Sequence, residues 1–387
     1  MTATDNSAPA SAPRSAVTSE LRRRAPLLAG VGFVVLLACL PLLNISIPGI
    51  LPTPTYQPGA MALMSLAMVF AALALSYNML LGTSGMLSFG HALYFGAGAY
   101  GLGIALEHLG VPLWPGVLIA LLGGLVIALI TGSVAMRVNG IPFAMVTLAF
   151  AQAGSVLVRR NASVTGGEEG LSLNTEGVPD ALVGVINTRN LYWACLVMVV
   201  VVYLVALWVD RSRLGHLASA TRENELRVRV LGLKPNRARL ALFVIAGLCA
   251  GLAGMAYMLL QSGTVPRAVS ADLTITILVM VVLGGVGYRW GAVLGGVVYT
   301  FLDQRLTVLA GSDAIDALPS VLRIPLSEPL FILGTLFILV VLFAPGGIAG
   351  TVHAWIDRRR HRSARDEGLR ELDADASAND EPVEVRA

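Results

Sequence analysis

Long apolar runs are the feature of this sequence that most restricts its fold. Five of them match the length of about twenty residues that an α-helix needs to cross a bilayer. Only 13% of the residues are charged, whereas globular proteins carry about a quarter. Because unpaired backbone groups are costly in lipid, continuous runs of this length indicate helices. The sequence therefore predicts an all-α, polytopic membrane helical bundle, with strong runs near 26–47, 60–81, 113–135, 190–209 and 238–260.

Weaker segments raise the predicted number to about ten transmembrane or re-entrant helices. The residues near 88–106 and across 272–308 are interrupted by glycine, so complete crossings and re-entrant loops are both open there. The five further segments lie near 88–106, 140–158, 272–287, 291–308 and 329–345, and the weak ones among them are 88–106 and the two across 272–308.

Arginine placement orients the segments. Residues 22–24 are all arginine and precede the first run, and an arginine cluster beginning at Arg358 follows the last one. Positively charged flanks stay on the cytoplasmic side, so the N- and C-termini are both predicted to be cytoplasmic, which requires an even number of crossings. Ten crossings also place the acidic loops 159–189 and 303–328 outside.

Three parts make up the predicted domain organisation. Residues 1–24 are rich in Ala, Ser, Thr and Pro and form a disordered cytoplasmic tail. Residues 25–350 form the transmembrane domain, and residues 351–387 form a basic-then-acidic cytoplasmic tail. The arginines before the first run also suit a secretory signal. No small-x-small cleavage site follows the run, however, so we predict a first transmembrane helix.

A charged island at 210–239 separates two of the strong runs. Its excess of arginine places it on the cytoplasmic side. A helix is predicted to start at Thr221 and to stop at Gly232 before Pro235. Because Ala220, Val228 and Leu231 share one helical face, interrupted by Asn224, this helix suits insertion into a cleft on a soluble partner. The other interpretation is a solvated interfacial loop that only sets the topology.

Nothing in the sequence indicates catalytic, cofactor or metal chemistry. Cys39, Cys195 and Cys249 lie singly in apolar runs, without metal-ligand spacing. Lys234 is the only lysine and is followed by proline, so the chain has no Walker A loop. No predicted span carries a charge well inside it, which argues against a proton-driven carrier. We predict no catalytic residue, no metal site, no cofactor in this chain and no nucleic-acid partner.

Glycines recur at four-residue spacing in two segments. This spacing allows helix backbones to approach closely in lipid, and it predicts helix packing. A tight interface that lines or gates a pathway is the other interpretation. The glycines concerned are Gly247, Gly251, Gly287, Gly291 and Gly295.

Several stretches together resemble a known family. The tetrapeptide Arg-Glu-Asn-Glu at 222–225, followed by Leu-Gly-Leu at 231–233, resembles the coupling loop of branched-chain amino acid ABC importer permeases. Further similar blocks lie at 75–100, 140–150 and 281–291. The tetrapeptide is more similar to the M-type subunit of this high-affinity leucine/isoleucine/valine importer family than to its H-type partner.

The resemblance implies an assembly of several subunits with different functions. The chain would be the permease subunit of an ATP-driven importer, translocating branched-chain or related amino acids delivered by a periplasmic solute-binding protein. Its other partners would be a second homologous permease subunit, two cytoplasmic ABC ATPases and the lipid of the bacterial cytoplasmic (inner) membrane. ATP-Mg would bind to the ATPases, and the chain itself would be no enzyme. The implied ATPase-coupling residues are Arg213, Gly215, Arg222, Glu223, Asn224, Glu225, Leu231 and Gly232.

Candidate residues for a translocation path or gate lie in the family-like blocks. His91 either lines the path or is a buried histidine hydrogen-bonded to a neighbouring helix. Phe95 and Tyr100 either form an apolar gate or pack in the ordinary way. The candidates are Ser88, His91, Phe95, Tyr100, Phe143 and Thr147.

Two alternative functions stay open at the level of sequence. Sister permeases of the same family carry urea or short amides, and the chain offers no charged clamp for an amino acid inside the bundle. A self-sufficient secondary carrier is the second alternative, since a sodium site can be built from hydroxyls and carbonyls.

Overall fold

The two compact units of the chain are Met1–Met61 and Ala62–Ala387. The predicted tail at 1–24, most of the predicted tail at 351–387 and most of the predicted outer loop 303–328 lie outside the described residues, whereas residues 351–358 of the predicted tail belong to a helix. The computed structural model describes residues 30–44, 53–184, 187–310, 328–344 and 346–358.

The described part of the first unit contains the apolar helix α1 (Gly30–Leu42), whose last turn, Leu40–Leu42, is a 3-10 helix. The Thr55 hydroxyl donates a hydrogen bond to the Leu43 carbonyl. A turn closed by the Gln57 amide and the Pro54 carbonyl, 3.0 Å apart, then leads into the next helix.

Helices also form most of the second unit. The starting residues are those that helix N-termini favour: Pro142 lies in the first turn of α5, and the Ser270 hydroxyl caps α11 by accepting from the Leu273 amide at 3.4 Å. The helices are α2 (Pro58–Asn78, which begins in the first unit), α3 (His91–His108), α4 (Leu113–Ala135), α5 (Ile141–Arg160), α6 (Ala162–Thr165), α7 (Thr188–Arg211), α8 (Arg213–Glu223), α9 (Glu225–Val230), α10 (Pro235–Gln261), α11 (Ala271–Gly284), α12 (Arg289–Ala310), α13 (Pro329–Phe343) and α14 (347–358).

Short elements complete the described structure. Helix α2 continues into a π-helical turn, Met79–Thr83. Strands β1 (Leu171–Ser172) and β2 (Gly263–Thr264) pair antiparallel, with Leu171 opposite Thr264. Two further 3-10 turns cover Asp180–Leu182 and Pro266–Val269.

Six helical segments of the described chain are long and apolar enough to cross a membrane, and α11 with α12 makes a seventh if the pair is one broken span. The chain bends by 120° between these two helices. This is the glycine-rich region for which the sequence allowed either complete crossings or a re-entrant loop. Helix α1 is too short to be counted, and α3 contains four glycines, two histidines and Glu107. The all-α bundle is confirmed. The six segments are Pro58–Thr83, α4, α5, α7, α10 and Phe331–Arg358.

The connections of the second unit gather at two ends. At one of them, Arg222 of α8 contacts the Gly82 carbonyl and Arg239 contacts Asn139; we call this the island end. At the other, β1 pairs with β2 and the Leu113 amide donates to the Gly177 carbonyl at 2.8 Å; we call this the ladder end. The loops 210–239 and 159–189, predicted on opposite sides of the membrane, therefore lie at opposite ends.

Helix α3 is largely buried and packs between α4 and α10. A Cβ atom added at Gly98 would lie 2.0 Å from the Gly251 carbonyl oxygen, and one at Gly295 would lie 1.9 Å from that of Met280. Backbones this close leave room only for glycine. Gly247 also faces α3, where an added Cβ would lie 3.3 Å from the Tyr94 ring.

Gly287 differs from the predicted packing series. It lies in the break between α11 and α12 with φ +89°, and an added Cβ would meet no atom within 4 Å. Its role is therefore conformational, because L-residues rarely adopt this φ. Gly291, by contrast, does pack, with an added Cβ 2.5 Å from the Gly284 carbonyl oxygen.

Candidate functional site

The charged island folds as two short helices rather than one. Ser212 caps α8, since its hydroxyl accepts from the Gly215 amide at 3.3 Å. Asn224 ends α8 and caps α9, accepting from the Arg227 amide at 2.9 Å. The predicted helix start at Thr221 is wrong: Thr221 lies inside α8 and its hydroxyl donates to the Leu217 carbonyl. Serine and asparagine with extended backbones meet the requirements of an N-cap.

Gly232 ends the island helices as predicted. Its amide donates to the Arg229 carbonyl at 2.9 Å, and the Leu233 amide donates to the Val228 carbonyl at 3.3 Å. With φ +76° at Gly232, these two bonds form a Schellman motif. Pro235 then starts α10, so the island is closed at both ends by local capping.

An apolar patch covers the outer side of α9 and the turn after it. We define the patch as Leu226, Val230, Leu231 and Leu233, which are 71%, 79%, 71% and 49% exposed. The predicted stripe through Ala220, Val228 and Leu231 is wrong, because Val228 is buried while Ala220 and Leu231 face outward. Such exposed apolar patches with polar rims mark interaction sites.

Glu225 fixes the patch to the bundle. Its carboxylate forms ion pairs with Arg229 on the same helix and with Arg239 of α10, the latter at 2.9 Å. Asn139, in the loop before α5, donates to Glu225 at 3.4 Å and accepts from Arg239 at 3.0 Å. Burial raises the pKa of the Glu225 carboxyl, but the hydrogen bonds and charges of the two arginines outweigh it, so the pKa is lowered.

Arg222 fixes α8 to the end of α2. Its guanidinium donates to the Gly82 carbonyl in the π-helical turn. The last carbonyls of a helix have no partner within the helix, and a cation there also complements the helix dipole. Gly85 leaves room for the arginine, since a Cβ added there would lie 2.9 Å from Arg222 Cγ.

The bend between α7 and α8 requires glycine at 215. A Cβ added at Gly215 would lie 2.2 Å from the Val209 carbonyl oxygen, so any larger residue would open the bend. This bend brings the start of α8 against the end of α7.

A polar cavity of about 250 Å³ lies under α8 at the island end. Asp210 forms an ion pair with Arg289, the first residue of α12, and accepts from the Thr83 hydroxyl at 3.2 Å. The Asn78 side chain accepts from the Gly287 amide at 2.9 Å. The cavity therefore joins α2, α7 and the α11–α12 break. It is lined by Asn78, Met79, Gly82, Thr83, Asp210, Gly215, His216, Ser219, Gly287 and Arg289.

The predicted path residues all lie inside the packed bundle. His91 is fully buried, and its Nε2 atom lies 2.8 Å from the Ser76 hydroxyl of α2. The Thr147 hydroxyl accepts from the Phe89 amide at 3.0 Å, and the Ser88 hydroxyl accepts from the Gly90 amide at 3.3 Å.

The aromatic candidates among these residues pack against neighbouring side chains. The ring of Phe95 lies 5.4 Å from that of Tyr257, and the ring of Phe143 lies 6.1 Å from that of Phe243. Tyr100 is buried in a cluster with Ala99 and Met258. A role of any of the six in the translocation path stays a prediction.

The structure separates the predicted coupling residues into three groups. Gly215, Arg222, Asn224, Glu225 and Gly232 shape or anchor the island, and Leu231 belongs to the apolar patch. Arg213 and Glu223 are exposed and form no ion pair with any described residue.

Sequence reasoning missed the contacts that anchor the island to the rest of the bundle. Asp210 and Arg289 lie at the ends of apolar segments, where their opposite charges are a signal of pairing, but 79 residues separate them. Asn78, Asn139 and Arg239 gave no signal of their own. Within the described ranges, no group of His, Cys, Asp and Glu side chains is arranged to hold a metal ion.

Comparison with known proteins gives consistent similarities. Residues 59–344 match the family described as "Branched-chain amino acid transport system / permease component". The high-affinity branched-chain amino acid transport system permease protein LivM of Escherichia coli (strain K12) is 28% identical over 261 residues, 62% of this chain and 61% of that protein. The chain thus spans about three-fifths of that relative's length.

Two further similarities complete the comparison. The permease protein LivH of the same E. coli transport system is 24% identical over 303 residues, covering 74% of this chain and 92% of that protein. A solved structure, PsaBC from Streptococcus pneumoniae in complex with Fab, aligns with 73% of this chain and 90% of that chain at 17% identity. Its TM-score is 0.37, too low to support an argument.

Proposed function

The chain belongs to the branched-chain amino acid transport system permease family, and from this we propose that it is the membrane-spanning permease subunit of an ATP-driven importer of branched-chain or related amino acids. The observation that carries the proposal is the apolar patch, held at the island end by Glu225 and Arg222. A soluble protein that covers the patch would bury about two-thirds of four large apolar side chains.

A cytoplasmic ATPase is the partner that we propose for the patch. The patch is small, is carried on a helix of six residues and the turn after it, and is flanked by exposed Arg227 and Arg229. An apolar anchor with a polar rim is how a short helix inserts into a cleft. Arginine enrichment predicts that this end faces the cytoplasm, where ATP is available.

The anchors give the ATPase motion a route into the bundle. Movement of α9 would pull on α10 through Glu225 and Arg239, and movement of α8 would pull on α2 through Arg222. The ion pair between Asp210 and Arg289 links the same region to the α11–α12 break. The free energy for switching then comes from ATP binding more tightly to one of two states of the assembly.

The remaining partners follow from the same proposal. The chain is similar both to a LivM and to a LivH permease protein, as expected if two related permease subunits pair in the membrane. A periplasmic solute-binding protein would deliver the amino acid at the ladder end, and the bacterial inner membrane would surround the assembly. Two ATPase subunits would bind and hydrolyse ATP-Mg. The similarities do not favour an amide permease or a self-sufficient carrier.

Two acidic substitutions in the patch test this proposal. Leu226→Glu combined with Val230→Glu would place two carboxylates in the apolar cleft. We expect ATPase subunits to be lost on mild detergent purification, and radiolabelled leucine uptake to fall by at least about ten-fold. The chain should still insert in the membrane, because both side chains are exposed.

Leu109→Glu is the matched control. Leu109 is a 58% exposed leucine that follows α3 at the ladder end, opposite to the end that carries the patch, so the same change of chemistry there should leave co-purification of the ATPase subunits intact. Normal uptake and normal ATPase recovery in the double variant would overturn the proposal.

A further inference from the structure

Helix α5 exposes an unusual face for a membrane-crossing helix. Gln152 lies twelfth of its twenty residues, near the middle of a span about 30 Å long. Its side chain is exposed, and it forms no hydrogen bond with any described residue. Ala149 and Ala153, its neighbours on the same face, are also exposed. The middle of this face is therefore polar and shallow.

The exposed faces of two neighbouring spans show what lipid contact looks like in this chain. Helix α4 exposes Leu118, Leu122 and Ile130, and α7 exposes Val201 and Leu204. Among the described residues of α4, α5 and α7, Gln152 is the one exposed amide or charged side chain in the middle of a span. A polar group without a partner is costly in hydrocarbon, so lipid does not suit this face.

An open, shallow groove of about 520 Å³ lies along the α5 face, lined by residues of α5 and by Asn161 directly after it. The groove runs from Gln152 towards the ladder end, past Val156 and Leu157, to Arg160 and Asn161. Arg160 forms no ion pair with any described residue. The groove thus offers a cation at its rim, an aliphatic wall along its length and an amide at its inner end.

This order of chemistry matches a small zwitterion with an aliphatic side chain. Arginine pairs with carboxylates, Val156 and Leu157 can cover the aliphatic part, and the Gln152 amide both donates and accepts hydrogen bonds. One wall alone cannot enclose a solute, so a facing helix of the second membrane subunit would complete the groove.

We infer that the α5 face from Ala149 to Arg160 lines the route of the transported amino acid, with Gln152 as a specificity-determining side chain in contact with it. The inference rests on the proposed function for the identity of the solute. It does not depend on the apolar patch or on ATP coupling.

Thiol accessibility tests the inference in intact cells. In a Cys39→Ala background, where the remaining native cysteines are buried, Gln152→Cys is treated with a charged methanethiosulfonate reagent. Only a thiolate reacts, and a thiol in lipid stays protonated. We expect the thiol at position 152 to react, and Leu122→Cys on α4 and Val201→Cys on α7 to stay unlabelled. Labelling at position 152 should also block radiolabelled leucine uptake.

A second variant tests whether the Gln152 amide contacts the transported amino acid. Gln152→Leu should reduce leucine uptake by about ten-fold, as expected for a lost hydrogen bond to a charged group, while co-purification of the ATPase subunits is unchanged. An unlabelled thiol at position 152, or a labelled one that leaves uptake unchanged, would overturn the inference. If the parent chain shows no ATP-dependent uptake, the proposed function fails instead. Labelling at position 152 still reports whether the α5 face is accessible to water.

Discussion

At the scale of single residues, Glu225 is the side chain that joins the apolar patch to the bundle. It lies between Arg229 and Arg239, with Asn139 beside it. Glu223, two residues earlier, is exposed and forms no ion pair with any described residue. The two glutamates therefore allow a matched comparison within one loop.

We expect Glu225→Gln to destabilise the purified chain at neutral pH by about 1 kcal/mol, the typical size of a partly exposed ion pair. The folded-state pKa of this carboxyl is lowered, so its ionisation stabilises the fold above the unfolded-state pKa. That contribution is lost as pH falls through the folded-state pKa. Thermal unfolding should thus show a difference from the parent chain at neutral pH that disappears in acid.

Glu223→Gln is the control, and its unfolding temperature at neutral pH should match that of the parent chain. Equal stability of the two variants at neutral pH would contradict the anchoring role of Glu225.

Gly98 supplies a second prediction at this scale, because an added Cβ would lie 2.0 Å from the Gly251 carbonyl oxygen. Gly98→Ala should separate α3 from α10 and cost about 1–3 kcal/mol. Gly124→Ala on α4, where an added Cβ meets no atom within 4 Å, should be neutral or slightly stabilising. Thermal unfolding in detergent compares them, and equal melting temperatures would contradict close packing at Gly98.

At the scale of elements, the ion pair between Asp210 and Arg289 connects the end of α7 with the start of α12. Both side chains are about one-third exposed, so each is partly desolvated. The pair lies beside the α11–α12 break. It therefore connects the island directly to that break.

A charge swap tests this connection. Asp210→Arg and Arg289→Asp should each lower leucine uptake and stability, since each leaves two like charges together. The double variant should recover both in part, with a coupling energy of about 1–2 kcal/mol in stability. Strictly additive losses would show that the two residues act independently.

Comparison of sequence and structure for the same elements shows where prediction stops. The helix end at Gly232 was predictable, since a glycine shortly before a proline ends a helix through local backbone conformation. Thr221 looked like a helix start because the sequence did not reveal that Ser212 begins α8 nine residues earlier. The stripe through Val228 and Leu231 failed because α9 restarts at Asn224 and shifts the helical phase.

Longer-range features of the elements were not readable from the sequence. The pairing of Asp210 with Arg289, and of Leu171 with Thr264, joins residues distant along the chain. Helix α12 runs to Ala310, so Asp303, assigned to the outer loop, lies within a helix. The fold class could be predicted because the length of an apolar run determines whether it can cross the bilayer. This does not depend on contacts with residues distant along the chain.

At the scale of the whole molecule, large parts of the surface are apolar. In the most apolar stretch of each span, 12% of the residues are buried in the Phe331–Arg358 segment and 22% are buried in α4. Part of this surface faces lipid, and the α5 face and the apolar patch face proteins in the proposed assembly. The isolated chain should therefore be less stable than the complete importer.

We expect the assembled importer to unfold at a higher temperature than the isolated chain. Partners present at about 100 times their dissociation constant add about 2.7 kcal/mol to the stability of the state that they bind. Differential scanning fluorimetry with and without the ATPase subunits measures the shift. The Leu226→Glu, Val230→Glu variant should lose the part due to the ATPases, and an unchanged shift would contradict docking at the patch.

The bond between Arg222 and the Gly82 carbonyl has a consequence for genetic suppression. Its acceptor is a backbone atom, which no substitution can remove or restore, and a side chain at 82 would collide with Gly287 at 2.9 Å. A lesion at Arg222 therefore has no compensating partner to select, and revertants should regain arginine itself. Lesions at Asp210, whose partner is the side chain of Arg289, should by contrast yield second-site suppressors at residue 289.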